Sequence, residues 1–231
     1  MKAQVLAIGL LTFSLTAGAA PQDTLRDLLS RMDQAAAKFQ AMSANVHYMV
    51  HTAVIDDNSE EAGVVRMKKV RAGEVQGIIE FTSDPDRRTV AFEQRKLQVF
   101  YPKINTVQIY DLGKHGEQLD QFLMIGFGIS GTELAKSFSM RLLGTETMKD
   151  SPALKIELVP KDEEARKILK RAELWIAQPP KQPYPLQEKL YEPSGNYRLV
   201  MYSDLNINPA LAEDALKLKL PKGVKTEYPQ K

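Results

Sequence analysis

Residues 44–54 read ANVHYMVHTAV, and their period decides the fold class. Val46, Tyr48, Val50, Thr52 and Val54 alternate with Asn45, His47, Met49 and His51, the period of two expected of a half-buried strand. Asp56-Asp57-Asn58-Ser59 then supplies turn-forming residues. Immediately upstream the period is that of a helix. Leu25, Leu28, Leu29, Met32, Ala35, Ala36, Phe39 and Met42 form one apolar stripe, with Asp23 placed to cap its start. The chain therefore passes from one amphipathic helix into extended structure within a few residues.

Downstream, the extended pattern recurs. Strands are predicted over 63–71, 74–83, 87–93, 96–101 and 106–111, with Asp84-Pro85-Asp86 and Pro102-Lys103-Ile104-Asn105 as turns. They resume over 139–148, 153–160, 172–177, 186–192 and 197–205, and Leu216, Leu218 and Leu220 alternate once more. Residues 162–170 suit a short surface helix, and Pro179, Pro180, Pro183 and Pro185 an exposed loop. Short strands without intervening helices indicate an antiparallel meander, not βαβ units. The expectation is a mainly β (α+β) domain of about ten or eleven strands with helices on one side. A sheet of that size curls or closes.

One stretch interrupts the strands. In residues 118–138, QLDQFLMIGFGISGTELAKSF, Leu119, Phe122, Leu123 and Gly126 fall on one helical face, while Met124, Ile125 and Phe127 add apolar bulk beside it. Such a segment needs cover on two sides, as deep core or as a flap over something apolar. Within it, Gly126-Phe127-Gly128-Ile129-Ser130-Gly131 spells the dinucleotide fingerprint. That fingerprint requires a preceding strand and a βαβ unit, and neither is present. The better reading is a connector whose glycines permit movement, with Ser130 and Glu133 as a capping box for the helix that follows.

Composition narrows the function. The 231 residues carry a net charge of +2, evenly spread, which argues against nucleic acid. The absence of cysteine removes thiol catalysis, disulfides, Cys-ligated zinc and an N-terminal lipidated cysteine. His47 and His51 lie four apart, but on a strand that spacing spans about 13 Å, too far to share one metal ion. His115 sits in a turn-like Gly113-Lys114-His115-Gly116, and no serine lies in a G-x-S-x-G. The residues predict neither catalysis, metal nor cofactor. Met1-Lys2, the apolar run from Val5 to Leu15 and Ala17-Gly18-Ala19 read as a cleaved export signal over 1–19, leaving residues 20–231 as a single exported domain.

The C-terminal sixty residues resemble the outer-membrane lipoprotein carrier (LolA/LolB-like) family and its lipoprotein-sorting relatives. The resemblance is carried by Leu174-Trp175-Ile176, Pro185-Leu186-Gln187, Glu192 through Gly195-Asn196, Tyr202-Ser203-Asp204-Leu205, and Leu216, Leu218, Leu220-Pro221 and Gly223-Val224. Upstream, Val99-Phe100-Tyr101-Pro102 and Val107-Gln108-Ile109-Tyr110 fit that family's central strand pair. The resemblance implies an incomplete barrel, closed by short helices and holding acyl chains. It implies a periplasmic carrier, expected as a monomer, that takes lipids or lipidated proteins from an inner-membrane releasing complex to an outer-membrane acceptor. A lipid-sensing regulator on the same fold is the alternative; such a sensor commonly carries a further C-terminal domain, and the sequence reaching only Lys231 favours the carrier. On this reading the lid is Leu119, Phe122, Leu123, Ile125, Phe127, Leu134 and Phe138, and the cavity wall includes Ile79, Val99 and Trp175. The family's lid latch, often Arg before Pro, maps onto Lys68, Lys69 and Arg71, where this sequence has no proline.

Overall fold

The computed structural model describes residues 24–71, 74–93, 96–113, 125–149 and 151–230. The proposed leader over 1–19 lies outside them. Helix α1, Leu25–Lys38, starts one residue later than the pattern suggested. Thr24, not Asp23, is the N-cap, because its side chain and that of Asp27 form a reciprocal capping box. Leu28, Met32, Ala35 and Ala36 form the buried stripe.

Among the described residues, twelve strands make one sheet. β1 (Ala41–Thr52), β2 (Asp57–Arg71), β3 (Glu74–Phe81), β4 (Arg88–Glu93), β5 (Lys96–Tyr101) and β6 (Thr106–Asp111) form the first meander. After helix α2, Gly131–Ser137, come β7 (Phe138–Met148), β8 (Ser151–Pro160), the single-turn helix α3 (Glu163–Arg166), β9 (Arg171–Ala177), β10 (Pro185–Tyr191) and β11 (Tyr197–Ile207). β11 pairs antiparallel with β1, so the last long strand joins the first and fuses the two meanders. A three-residue β12, Lys225–Glu227, adds parallel to β6 and leaves β12 and β7 as the edges of an open sheet. An unclosed, curled sheet with short helices is what the pattern predicted, with one strand more.

Three local expectations are corrected. The first hairpin turns at 53–56, with Asp56 at φ 49°, and residues 57–59 extend β2 instead of forming the turn. Residues 162–170 are helical only over α3, capped by the Asp162 side chain. Residues 216–220 form no strand: Leu216 packs with Leu211 and Leu218 onto Ile78 and Ala91 on the outer face of β3 and β4. The alternation of Leu216 and Leu218 is satisfied by burial against a sheet face instead of ladder pairing, while Leu220 is 41% exposed.

The inner face carries the core. α1 and α2 pack over the β7–β10 side, where Leu28, Met32 and Leu134 meet Leu154, Ile156, Leu158, Leu174 and Ile176. α2 is fixed to α1 at its N-terminus. Ser130 and Glu133 form the predicted capping box, Asp33 accepts from the Thr132 N–H and hydroxyl at 2.9 and 3.0 Å, and Gly131 lies against the Leu29 backbone. The β1–β4 side of the same face is less filled.

On that side Gly77 faces Phe92 across the β3–β4 pair, and the ring lies flat over it. A Cβ at residue 77 would sit 2.2 Å from the ring's Cζ. Gly77→Ala is therefore expected to displace a buried ring and cost about 1–3 kcal/mol, read as a lowered urea midpoint.

Candidate functional site

Strand alternation puts one set of side chains from six strands around a common space. Met42, Val46 and Tyr48 of β1 come with Val65 and Met67 of β2, Ile79 and Phe81 of β3, and Arg88, Val90 and Phe92 of β4. Across from them stand Glu188 and Leu190 of β10 and Arg198, Val200 and Tyr202 of β11. The register explains the set, since directly paired residues share a face: Tyr202 opposes Val46, Ile79 opposes Val65, and Val90 opposes Ile79. Phe127 closes the space from the α2 side, and Ile168 and Leu169, just beyond α3, close it from another.

The cavity is about 470 Å³, within the usual range for a small-molecule site. From Met42 to Tyr48 it follows six residues of β1, roughly 20 Å at the rise of a strand. Its two ends differ. Met42, Met67 and Phe92 form a buried apolar end. At the other end Arg88 makes a bidentate pair with Glu61, its Nη2 donating to Oε2 at 2.8 Å, and lies 4.2 Å from the Phe81 ring centroid. Arg198, whose side chain is 48% exposed, pairs with Glu192 at 2.8 Å. Hydrogen bonding to Glu61 holds the Arg88 guanidinium above its ordinary range, and burial pushes the Tyr48 hydroxyl up. This is an apolar tube with a polar, partly exposed mouth.

Glu188 departs from this division. It is a carboxyl on the apolar wall, 5% exposed, beneath the turn at 125–128. Among the described residues its Oε1 has no hydrogen-bond partner, and a Cβ on Gly126 would sit 3.5 Å from that atom. The Tyr202 hydroxyl is near enough to act on the carboxyl as a hydrogen-bonding group. Burial pushes the Glu188 pKa from 4.5 to about 8, opposed by the Tyr202 hydrogen bond, and burial together with the neighbouring carboxyl drives Tyr202 well above 10.

The structure distributes the predicted site residues unevenly. Leu119, Phe122 and Leu123 lie outside the described residues. Ile125, Leu134 and Phe138 are buried in the main core, and Phe127 alone of the described lid residues reaches the cavity. Ile79 lines the wall. Val99 opposes Val90 on the inner face and is buried beside the cavity without lining it. Trp175 is on the wrong side of the sheet for a wall residue. Leu174 and Ile176 take the inward positions of β9, and the indole is buried on the outer face, with Lys155 Nζ 4.5 Å from its centroid and Nε1 donating to Glu146 at 2.6 Å. Lys68 and Arg71 are exposed at the end of β2, and Arg71 is bound to Glu74. Among the described residues, none of Lys68, Lys69 and Arg71 has a hydrogen bond or ion pair to α2 or the turn before it.

His47 and His51 both lie on the outer face of β1. His47 is 3.1 Å from Glu60, and His51 stacks on Tyr197. Among the described residues no cluster is arranged to hold a metal ion, and no helix is long and apolar enough to cross a membrane. The polar cavity residues escaped the pattern reading, although parity held a trace of one: in Leu186-Gln187-Glu188-Lys189-Leu190 a glutamate takes the position between two leucines.

The fold has known counterparts. An uncharacterized conserved protein from Thermus thermophilus superposes with a TM-score of 0.51 at 14% identity, covering 88% of this chain and 98% of that one. MucB superposes with a TM-score of 0.51 at 18% identity, covering 84% of this chain and 62% of MucB, and has also been solved as the Pseudomonas aeruginosa MucA/MucB complex. A LolA superfamily protein from Nitrosomonas europaea matches over 86% of this chain and 99% of its own at 15% identity, with a TM-score of 0.40. No protein-family model matches the sequence, and no curated protein does. The similarity is one of fold, the open curled sheet with short helices.

Proposed function

We propose that this chain is an exported, periplasmic lipid-binding protein, a single domain over residues 20–231 that holds an acyl chain in the cavity and carries it towards the outer membrane. The supporting observation is the cavity itself: about 470 Å³, apolar along its walls, closed at one end and polar at the other. Each methylene moved out of water is worth about 0.8 kcal/mol, so a sixteen-carbon chain gains on the order of 12 kcal/mol. A shielded tube is what such a chain needs to cross an aqueous compartment, and it needs no chemistry. The resemblance of the C-terminal motifs to lipoprotein carriers supports the same reading, with lipids or lipidated proteins as cargo. On that resemblance an inner-membrane releasing complex delivers and an outer-membrane acceptor receives.

Native mass spectrometry of the protein isolated from a bacterial periplasm tests this. An acylated species is expected on the wild type and absent from Val200→Trp, which places an indole in the cavity. Because Trp175 is the one tryptophan and faces away, wild-type emission should stay constant on lipid addition, whereas Tyr48→Trp should respond. A protein that is empty and also fails to bind the hydrocarbon probe diphenylhexatriene would refute the proposal.

A further inference from the structure

Glu188 and Tyr202 both line the cavity and bring two O–H groups to it, of which at most one can be spent on the other. Glu188 holds its proton because burial disfavours the carboxylate. Tyr202 is likewise protonated. Glu188 Oε1 is sealed beneath Gly126 without a partner among the described residues, so the carboxyl's other oxygen and the Tyr202 hydroxyl are what the pair presents to the cavity. An acid proton on that oxygen either donates to Tyr202, leaving the phenol proton over, or is itself the one left over. In either arrangement the pair offers one O–H for which no described residue supplies an acceptor. A buried polar group without a partner is costly, and a native structure that keeps one has a use for it.

We propose that Glu188 and Tyr202 form a hydrogen-bonding point within the apolar cavity that engages an uncharged oxygen of the ligand, the ester carbonyl or hydroxyl of an acylated lipid. This rests on the lipid-binding reading above and adds the class of ligand to it. The oxygen is uncharged because no cation among the described residues is free to accompany an anion there. The cavity's arginines, Arg88 and Arg198, are engaged by Glu61 and Glu192. Among the described residues the groups around Glu188 are otherwise neutral: Leu174 and Val200 pair directly with it on the neighbouring strands, Gly126, itself packed on Pro185, lies over Oε1, and Tyr202 is the titratable neighbour. A bare hydrocarbon would fill the tube yet leave the donor stranded.

The experiment compares wild type, Glu188→Gln and Glu188→Leu, each loaded with diphenylhexatriene and titrated with monopalmitoylglycerol. The probe itself, a hydrocarbon, should bind all three alike. Monopalmitoylglycerol should displace it from the wild type and, within about threefold, from Glu188→Gln, whose amide still donates. Glu188→Leu, which packs without stranding a polar atom, should need about tenfold more or beyond, since the ligand oxygen is then buried unpaired. With methyl palmitate, whose ester only accepts, raising the pH from 7 to 9 should weaken binding to the wild type and leave Glu188→Gln unaffected, because an ionised carboxylate cannot donate. Equal displacement from wild type and Glu188→Leu would overturn the assignment while leaving the cavity reading intact. Failure of diphenylhexatriene to bind the wild type would instead remove the reading on which it rests.

Discussion

Glu188→Leu is expected to be more stable than the wild type, by a margin that grows by roughly 5 kcal/mol between pH 4.5 and about 8. The sign follows from where the proton sits. Below pH 4.5 the folded and unfolded chains both hold the Glu188 proton, and ionisation costs folding nothing. Between 4.5 and about 8 the unfolded chain releases it while the folded chain keeps it. Each increment of pH then favours the unfolded state, because stability rises with pH only where the unfolded chain binds more protons. Above about 8 both states are ionised and the margin levels off. Urea unfolding of wild type and variant at a series of pH values measures it as the difference of two curves, in which the other titrating groups cancel. A margin that is flat across this range would mean that Glu188 is hydrated in the native protein. The destabilised wild-type residue and the proposed ligand donor are two aspects of one arrangement: a polar group kept in an apolar wall lowers the stability of the empty protein and is satisfied when the cavity fills.

Phe127→Ala is expected to cost about 3–5 kcal/mol. The ring is 2% exposed, stacks on Tyr184 with centroids 5.8 Å apart and planes 10° from parallel, and meets Tyr202 edge-on at 5.1 Å. Its removal takes away a large apolar surface and two aromatic contacts, each worth about 0.5–1.5 kcal/mol beyond area. It also opens the cavity towards α2, and the Gly126 and Gly128 backbones on either side, both at φ 80°, leave little room for collapse. Phe127→Leu retains most of the volume and should recover more than half of the loss. Urea midpoints of the three proteins give both quantities, and a cost for alanine below about 1 kcal/mol would show that the turn at 125–128 is undocked in solution.

The legible part of this protein is the part with a short-range cause. Alternation in β1, the helical stripe of α1 and the Ser130–Glu133 box each depend on residues within a few positions of one another. Mainly β architecture, the antiparallel meanders and the spurious dinucleotide motif could therefore be read without coordinates. The same reasoning misjudged Leu216, Leu218 and Leu220, because alternation records only that one face is covered and is silent on whether a strand or a sheet face covers it.

What the tertiary structure alone decided is everything that depends on pairs distant in sequence. The β1–β11 ladder places Val46 beside Tyr202 and turns two meanders into one curved wall, and no local signal announces it. Parity distinguishes odd from even positions but not inward from outward, so Trp175 could be placed on its true face only once Leu174 and Ile176 were seen to meet the helices. Glu188 is the sharpest instance. Its neighbours in sequence mark a position among apolar residues, but its unspent proton comes from burial beneath Gly126 and from Tyr202 across the β10–β11 pair. Burial is a property of the assembled fold, and with it come the cavity, the protonation of Glu188 and the ligand chemistry proposed from them.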